Sequence, residues 1–95
     1  MPAHYSRKDS KFDAEFKEIG AEIRRLRQKK KWNLEGLAHF GSVGYSFLND
    51  VEKGKRNFSL AVLFDLSLAL NTTPDRILKS ALAKSHFGRL GSPDA

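Results

Sequence analysis

The chain has no cysteine, which excludes a disulfide framework and any thiolate-held metal and leaves the core to be held by packing alone. That composition fits a reducing compartment, and a cytoplasmic location is expected. No apolar run approaches the roughly 20 residues needed to cross a bilayer, and the opening MPAHYSRKDSKFD lacks the apolar stretch of a signal peptide. Catalytic signatures are missing too. His4, His39 and His86 stand far apart, and there is no His-Glu-x-x-His, no Gly-rich phosphate loop and no serine in a nucleophile-elbow pattern. The expectation is a non-enzyme with no metal, no cofactor and no small-molecule ligand, in which His39 is a surface or boundary residue of a helix.

What is present is basic. At 95 residues the chain has the length of one domain with a modest core, and 17 Lys and Arg against 11 Asp and Glu leave a net charge of +6. Such a balance favours polyanionic partners, either nucleic acid or an anionic membrane surface, and does not choose between them.

Residues 1–12 are polar and charged with no apolar period and read as a flexible arm. From Asp13, the apolar residues Phe16, Ile19, Ile23 and Leu26 recur at spacings of three and four, which predicts a first helix to about Lys30. Lys29, Lys30 and Lys31 at its end complement the negative end of the helix dipole. Asn33 is a suitable N-cap for a short second helix carrying Leu34, Leu37, Ala38 and Phe40, closed by Gly41 and Ser42, with Trp32 packing inward before the cap.

A tight connection through Val43 and Gly44 leads to a third short helix, with Phe47, Leu48 and Val51 at helical spacing and an end near Lys53 and Gly54. Beyond the basic loop Lys55-Arg56-Asn57-Phe58, Ser59 caps a fourth helix, Leu60 to Leu70. It is apolar on nearly every side and is expected at the centre of the core. Thr73 as a cap and Pro74 at a first helical position predict a fifth helix to about Lys84. Residues 85–95 read as an unstructured tail. No stretch alternates with period two for long enough to form a sheet, so the expected fold is all-α with five helices over residues 13–84.

The segment Trp32 to Ser59, WNLEGLAHFGSVGYSFLNDVEKGKRNFS, resembles the helix-turn-helix of the phage-repressor and Cro-like, or XRE, family. Leu37-Ala38 in the second helix, Val43 in the turn, Leu48 and Val51 in the third helix and the block VEKGKRN carry the likeness, which continues to Leu78. Three positions depart from the family pattern: Leu34 where Gln is frequent, Gly41-Ser42 where Leu-Gly is usual, and Gly44 where Ser or Thr usually caps the third helix. The resemblance implies a DNA-binding transcriptional regulator, a repressor or controller acting as a homodimer on palindromic double-stranded DNA. It also implies an ion pair between Glu52 and an arginine of the first helix, at the position of Arg27.

In such a motif the third helix enters the major groove by its N-terminal end, so residues near that end and away from the core meet base edges. Here they are Tyr45, Ser46, Asn49 and Asp50, with Leu48 and Val51 on the buried side. Asn49 suits adenine, Tyr45 a thymine methyl or a phosphate, and Ser46 either a donor or an acceptor. Asp50 has two readings, acceptance from cytosine N4 or pairing with a neighbouring Lys or Arg. Phosphate contacts are expected from Asn33, the amides from Gly44 onward, Lys53, Lys55, Arg56 and Asn57. The expected dimer surface combines Phe58 with Ile77, Leu78, Ala81 and Leu82. The alternative is a protein-interaction or membrane-surface module built on the basic, amphipathic first helix.

Overall fold

A computed structural model describes residues 11–90 of the chain, in which six helices and no strand occur. They are α1 (Asp13–Lys29), α2 (Leu34–Phe40), α3 (Tyr45–Glu52), α4 (Leu60–Ala69), α5 (Pro74–Ala81) and α6 (His86–Leu90). The arm expected over residues 1–12 lies outside the described residues except for Lys11 and Phe12, which form the turn into α1.

The longest helix organises the rest. Asp13 and Glu15 sit in the first turn of α1 and Arg27 and Lys29 in its last, each sign opposite the helix dipole's own end. Its apolar stripe turns inward. Ile19 and Ile23 are buried and Phe16 and Leu26 half-buried, and the helix packs on both α3 and α5. The stripe the membrane reading would have exposed is therefore spent on the core, which Leu37, Ala38, Leu48, Val51, Leu63, Leu66, Leu70 and Ile77 complete. Complete burial of an aliphatic side chain of this size contributes about 1.5–3 kcal/mol, so these ten residues dominate the stability of a domain this small.

Gly20 sets how close α1 and α3 come: a Cβ there would strike the Val51 carbonyl, so only glycine allows the observed crossing. Four connections end on the same device. Lys31, Ser42, Gly54 and Asn71 have φ of 61°, 55°, 74° and 56°. Each lets the following amide reach back to a carbonyl of the last turn, as from Trp32 to Arg27 (3.2 Å), Val43 to Ala38 (3.0 Å), Lys55 to Asp50 (2.8 Å) and Thr72 to Ser67 (2.9 Å).

Four expectations are corrected. The fourth helix is not central all round: Leu63, Leu66, Ser67 and Leu70 are buried, whereas Leu60, Phe64 and Leu68 face solvent. The fifth helix ends at Ala81, and the segment expected to be unstructured contains α6, because the Ser85 hydroxyl accepts from the amides of Phe87 (3.1 Å) and Gly88 (3.4 Å). The Phe87 ring then leans on Phe12, centroid to centroid 6.2 Å. Finally, Thr73 makes no side-chain cap to α5; its hydroxyl, next to the exposed Asp75, is the main influence holding that carboxyl below its ordinary pKa.

Candidate nucleic-acid interface

The turn between α2 and α3 carries two of the three departures from the family pattern, Gly41-Ser42 and Gly44. The left-handed residue is Ser42, while Gly41 precedes it with φ −85° in the right-handed region. Gly41 is needed for space. A Cβ there would stand 2.9 Å from Leu66 Cδ2 and 3.0 Å from the Leu37 oxygen, against the core side of α4. Gly44 occupies the N-cap of α3 in an extended conformation without a side chain to accept from the helix amides, so those amides remain available to an outside acceptor.

Leu48 and Val51 are completely buried, which fixes the rotation of α3 about its axis. The opposite face is thereby turned outward: Tyr45 and Ser46 are exposed, and Asn49 and Asp50 are half-buried at the border. Asn33 caps α2, its Oδ1 accepting from the Gly36 amide at 2.8 Å, so its amide nitrogen is the group left to donate to a phosphate.

The basic loop after α3 divides into two kinds of residue. Lys53 and Lys55 are exposed. Arg56 is held rather than free, with its guanidinium carbon 5.4 Å from the centroid of the Phe47 ring and its Nε 3.8 Å from Asp50 Oδ2. This second contact favours the pairing reading of Asp50 over acceptance from cytosine. The placement of Arg56 depends on Phe47, which its spacing groups with Leu48 and Val51 as an apolar residue of the third helix and not with the candidate DNA contacts. Asn57 is a correction. It is buried and donates from Nδ2 to Asp13 Oδ1 at 3.4 Å, so it anchors the loop to the start of α1 and is not presented to a phosphate.

Arg27 and Glu52 are brought together between α1 and α3: Nε to Oε2 2.8 Å, Nη2 to Oε1 2.9 Å. Arg27 Nη1 also donates to the Trp32 carbonyl at 2.8 Å. The hydrogen bonds it donates to Glu52 push the Arg27 guanidinium above its ordinary pKa, so it stays charged under all usual conditions. The Trp32 ring stacks on Phe40, with centroids 5.0 Å apart, under the Lys30 ammonium.

Of the five residues expected at a dimer surface, one is corrected, Ile77. Ile77 is only 1% exposed, a core residue, while Phe58 meets Phe16 edge-on at 5.0 Å. Leu78, Ala81 and Leu82 are half-buried against the core.

Elsewhere, a surface cleft of about 550 Å³ runs between α1 and the α5–α6 region, with Glu15, Glu18 and Glu22 along it and no residue of α2 or α3. Arg25, Lys84 and His86 share its lining, so the cleft is of mixed charge. Among the described residues no cluster of His, Asp and Glu could hold a metal ion, and no helix is long and apolar enough to cross a membrane. His39 is exposed and packs its ring against Phe40 at 5.4 Å.

Two short helices locked across a tight turn, the second presenting its N-terminal end beside exposed lysines, define a DNA-binding helix-turn-helix. A sequence model of the helix-turn-helix family matches residues 23–77. The competence pilus inhibition repressor of Acinetobacter baylyi is 30% identical over 73 residues, spanning 77% of this chain and 66% of that protein. Among solved structures, the restriction-modification controller protein C.AhdI from Aeromonas hydrophila is 35% identical with a TM-score of 0.65, covering 68% of this chain and 97% of C.AhdI. The clp gene regulator ClgR from C. glutamicum is 25% identical with a TM-score of 0.70, covering 75% and 92% respectively. The chain belongs to the helix-turn-helix family of DNA-binding transcription regulators and is not an enzyme.

Proposed function

We propose that this protein is a sequence-specific repressor or controller that binds palindromic double-stranded DNA as a homodimer. The observation that carries the reading is the outward N-terminal turn of α3, with Tyr45 and Ser46 exposed and Asn49 beside them, flanked by Lys53, Lys55 and the positioned Arg56. Bases are read by the first group, and the phosphates by the second together with Asn33 and the amides at Gly44. Asp50 acts through Arg56, orienting it and offsetting part of its charge. The likeness to a repressor and to a controller protein supports regulation of transcription by occupancy of an operator. One such module covers a small DNA surface, and pairing two of them on half-sites about one helical turn apart supplies affinity and explains palindromy.

Selection from a randomised duplex pool with the purified protein tests this. The expected result is an enriched palindrome whose half-sites are spaced by about 10 base pairs. Recovery of no enriched sequence, with binding that depends on salt alone, would refute sequence-specific reading.

A further inference from the structure

The fourth helix is apolar almost throughout, and the core uses one side of it. Leu63, Leu66 and Leu70 point inward. On the other side Leu60, Phe64 and Leu68 remain 64%, 49% and 80% exposed, three large apolar side chains at intervals of four on one helix. This is a single i±4 ridge, the element that interdigitates with its own counterpart when two helices cross at about −50°.

We propose that this ridge is the homodimer interface, its occupant being the same ridge of a second copy, so that Phe64 lies next to the two-fold axis and each Leu60 meets the partner's Leu68. The inference rests on the dimeric reading above and identifies the surface that performs it.

Charge chooses the occupant. The chain carries a net +6, yet α4 contains no Lys or Arg and one charged residue, Asp65. Asp65 lies about 100° round the helix from the middle of the ridge, so in a pair it stays at the wet rim. Two like-charged copies associate most readily through the part of the surface that carries least charge. Double-stranded DNA finds no cation there, and an anionic membrane would call for Lys or Arg flanking the apolar stripe.

Area agrees with a reversible pair. The three side chains expose on the order of 300 Å² per copy, the size of a functional patch on a small protein. Two copies with their margins fall at or below the usual interface range of about 1,200–2,000 Å². Association in the micromolar range, coupled to DNA occupancy, is expected.

Analytical ultracentrifugation of the full chain tests the assignment. Wild type should show a concentration-dependent monomer–dimer equilibrium, and Leu68→Glu should weaken it at least tenfold. Since Leu68 is exposed, the circular dichroism spectrum and melting temperature of the variant should match wild type. Leu60→Glu provides a second, independently exposed probe and should act alike. A wild-type dimer that withstands both substitutions would overturn the proposal, as would a wild type that binds DNA yet stays monomeric at several hundred micromolar. Conversely, a dimer broken by Leu68→Glu in a protein that selects no duplex would refute the operator reading and leave the interface standing.

Discussion

Arg27 on α1 and Glu52 on α3 meet side by side through two hydrogen bonds of 2.8 and 2.9 Å. Their side chains are only 12% and 4% exposed. The pair sits at the C-terminal end of both helices, and the third guanidinium contact, to the Trp32 carbonyl, ties in the connection that leads to α2. One arginine thus fixes α3 relative to α1 and the entry to α2, the geometry on which the presentation of α3 depends.

Removing one partner strands the other. Glu52→Ala leaves a guanidinium without its buried counter-charge and is expected to destabilise the domain by about 3 kcal/mol, the lower end for a broken buried pair. In a domain of this size that lowers the melting temperature by more than about 10 °C. Thermal denaturation followed by circular dichroism checks it; an unchanged melting curve would rule out a stabilising role for the pair.

The α1–α3 contact is equally sensitive at Gly20. Gly20→Ala would gain helix propensity in isolation, but its methyl meets the Val51 carbonyl, backbone that cannot swing aside. A net loss of about 1–3 kcal/mol is expected. Urea denaturation should show a lower midpoint with an unchanged slope, and a midpoint equal to or above wild type would contradict the close approach.

Ser42 offers the opposite outcome. It holds φ 55° between α2 and α3, a conformation in which a side chain is strained and glycine is not. Ser42→Gly should therefore stabilise by about 0.5–1 kcal/mol and raise the melting temperature by a few degrees. The adjacent substitution Gly41→Ala should destabilise, since its methyl would press on Leu66 and the Leu37 carbonyl. If both variants move the same way, the assignment of the two positions fails.

On DNA, the division of labour predicts different readouts. Arg56→Ala should weaken binding to all duplexes alike and reduce the salt slope by about one unit. Asp50→Asn, which removes the negative charge beside Arg56, should strengthen non-specific binding. Ser46→Ala or Asn49→Ala should instead change preference at individual base pairs, by about 1–3 kcal/mol at the affected position. Fluorescence anisotropy on operator and scrambled duplexes at several salt concentrations separates these cases. A preference change from Arg56→Ala alone would reverse the site map.

Much of the fold was legible in the chain because its signals are local. The three- and four-residue spacing of Phe16, Ile19, Ile23 and Leu26, the caps Asn33 and Ser59, and Pro74 at a helix start act within a turn or two of where they stand. Less legible were the ends. Gly54 and Asn71 are residue types that favour a left-handed φ, but Lys31 and Ser42 adopt it because the helices on either side demand it. A five-residue helix such as α6 has no periodicity to detect, and its cap, Ser85, is one serine among several.

The candidate site divided along the same line. That Tyr45, Ser46, Asn49 and Asp50 avoid the core follows from the spacing of Leu48 and Val51, so the reading face was available from residues alone. Asn57 was not. In sequence it stands beside Lys55 and Arg56 as a polar loop residue, and its amide is withdrawn only because Asp13, 44 positions earlier, folds against it.

By itself, then, the sequence determined an all-α chain, the order of its five longer helices, the inward faces of α1 and α3 and the basic character of the loop after α3, since periodicity, caps and charge are properties of neighbours. Tertiary structure decided how Arg56 is held, that Ile77 belongs to the core, and which side of the almost entirely apolar α4 is left uncovered. A helix with apolar residues all round carries no directional pattern, so only the packing of α2 and α5 against it selects the buried side and leaves Leu60, Phe64 and Leu68 in solvent.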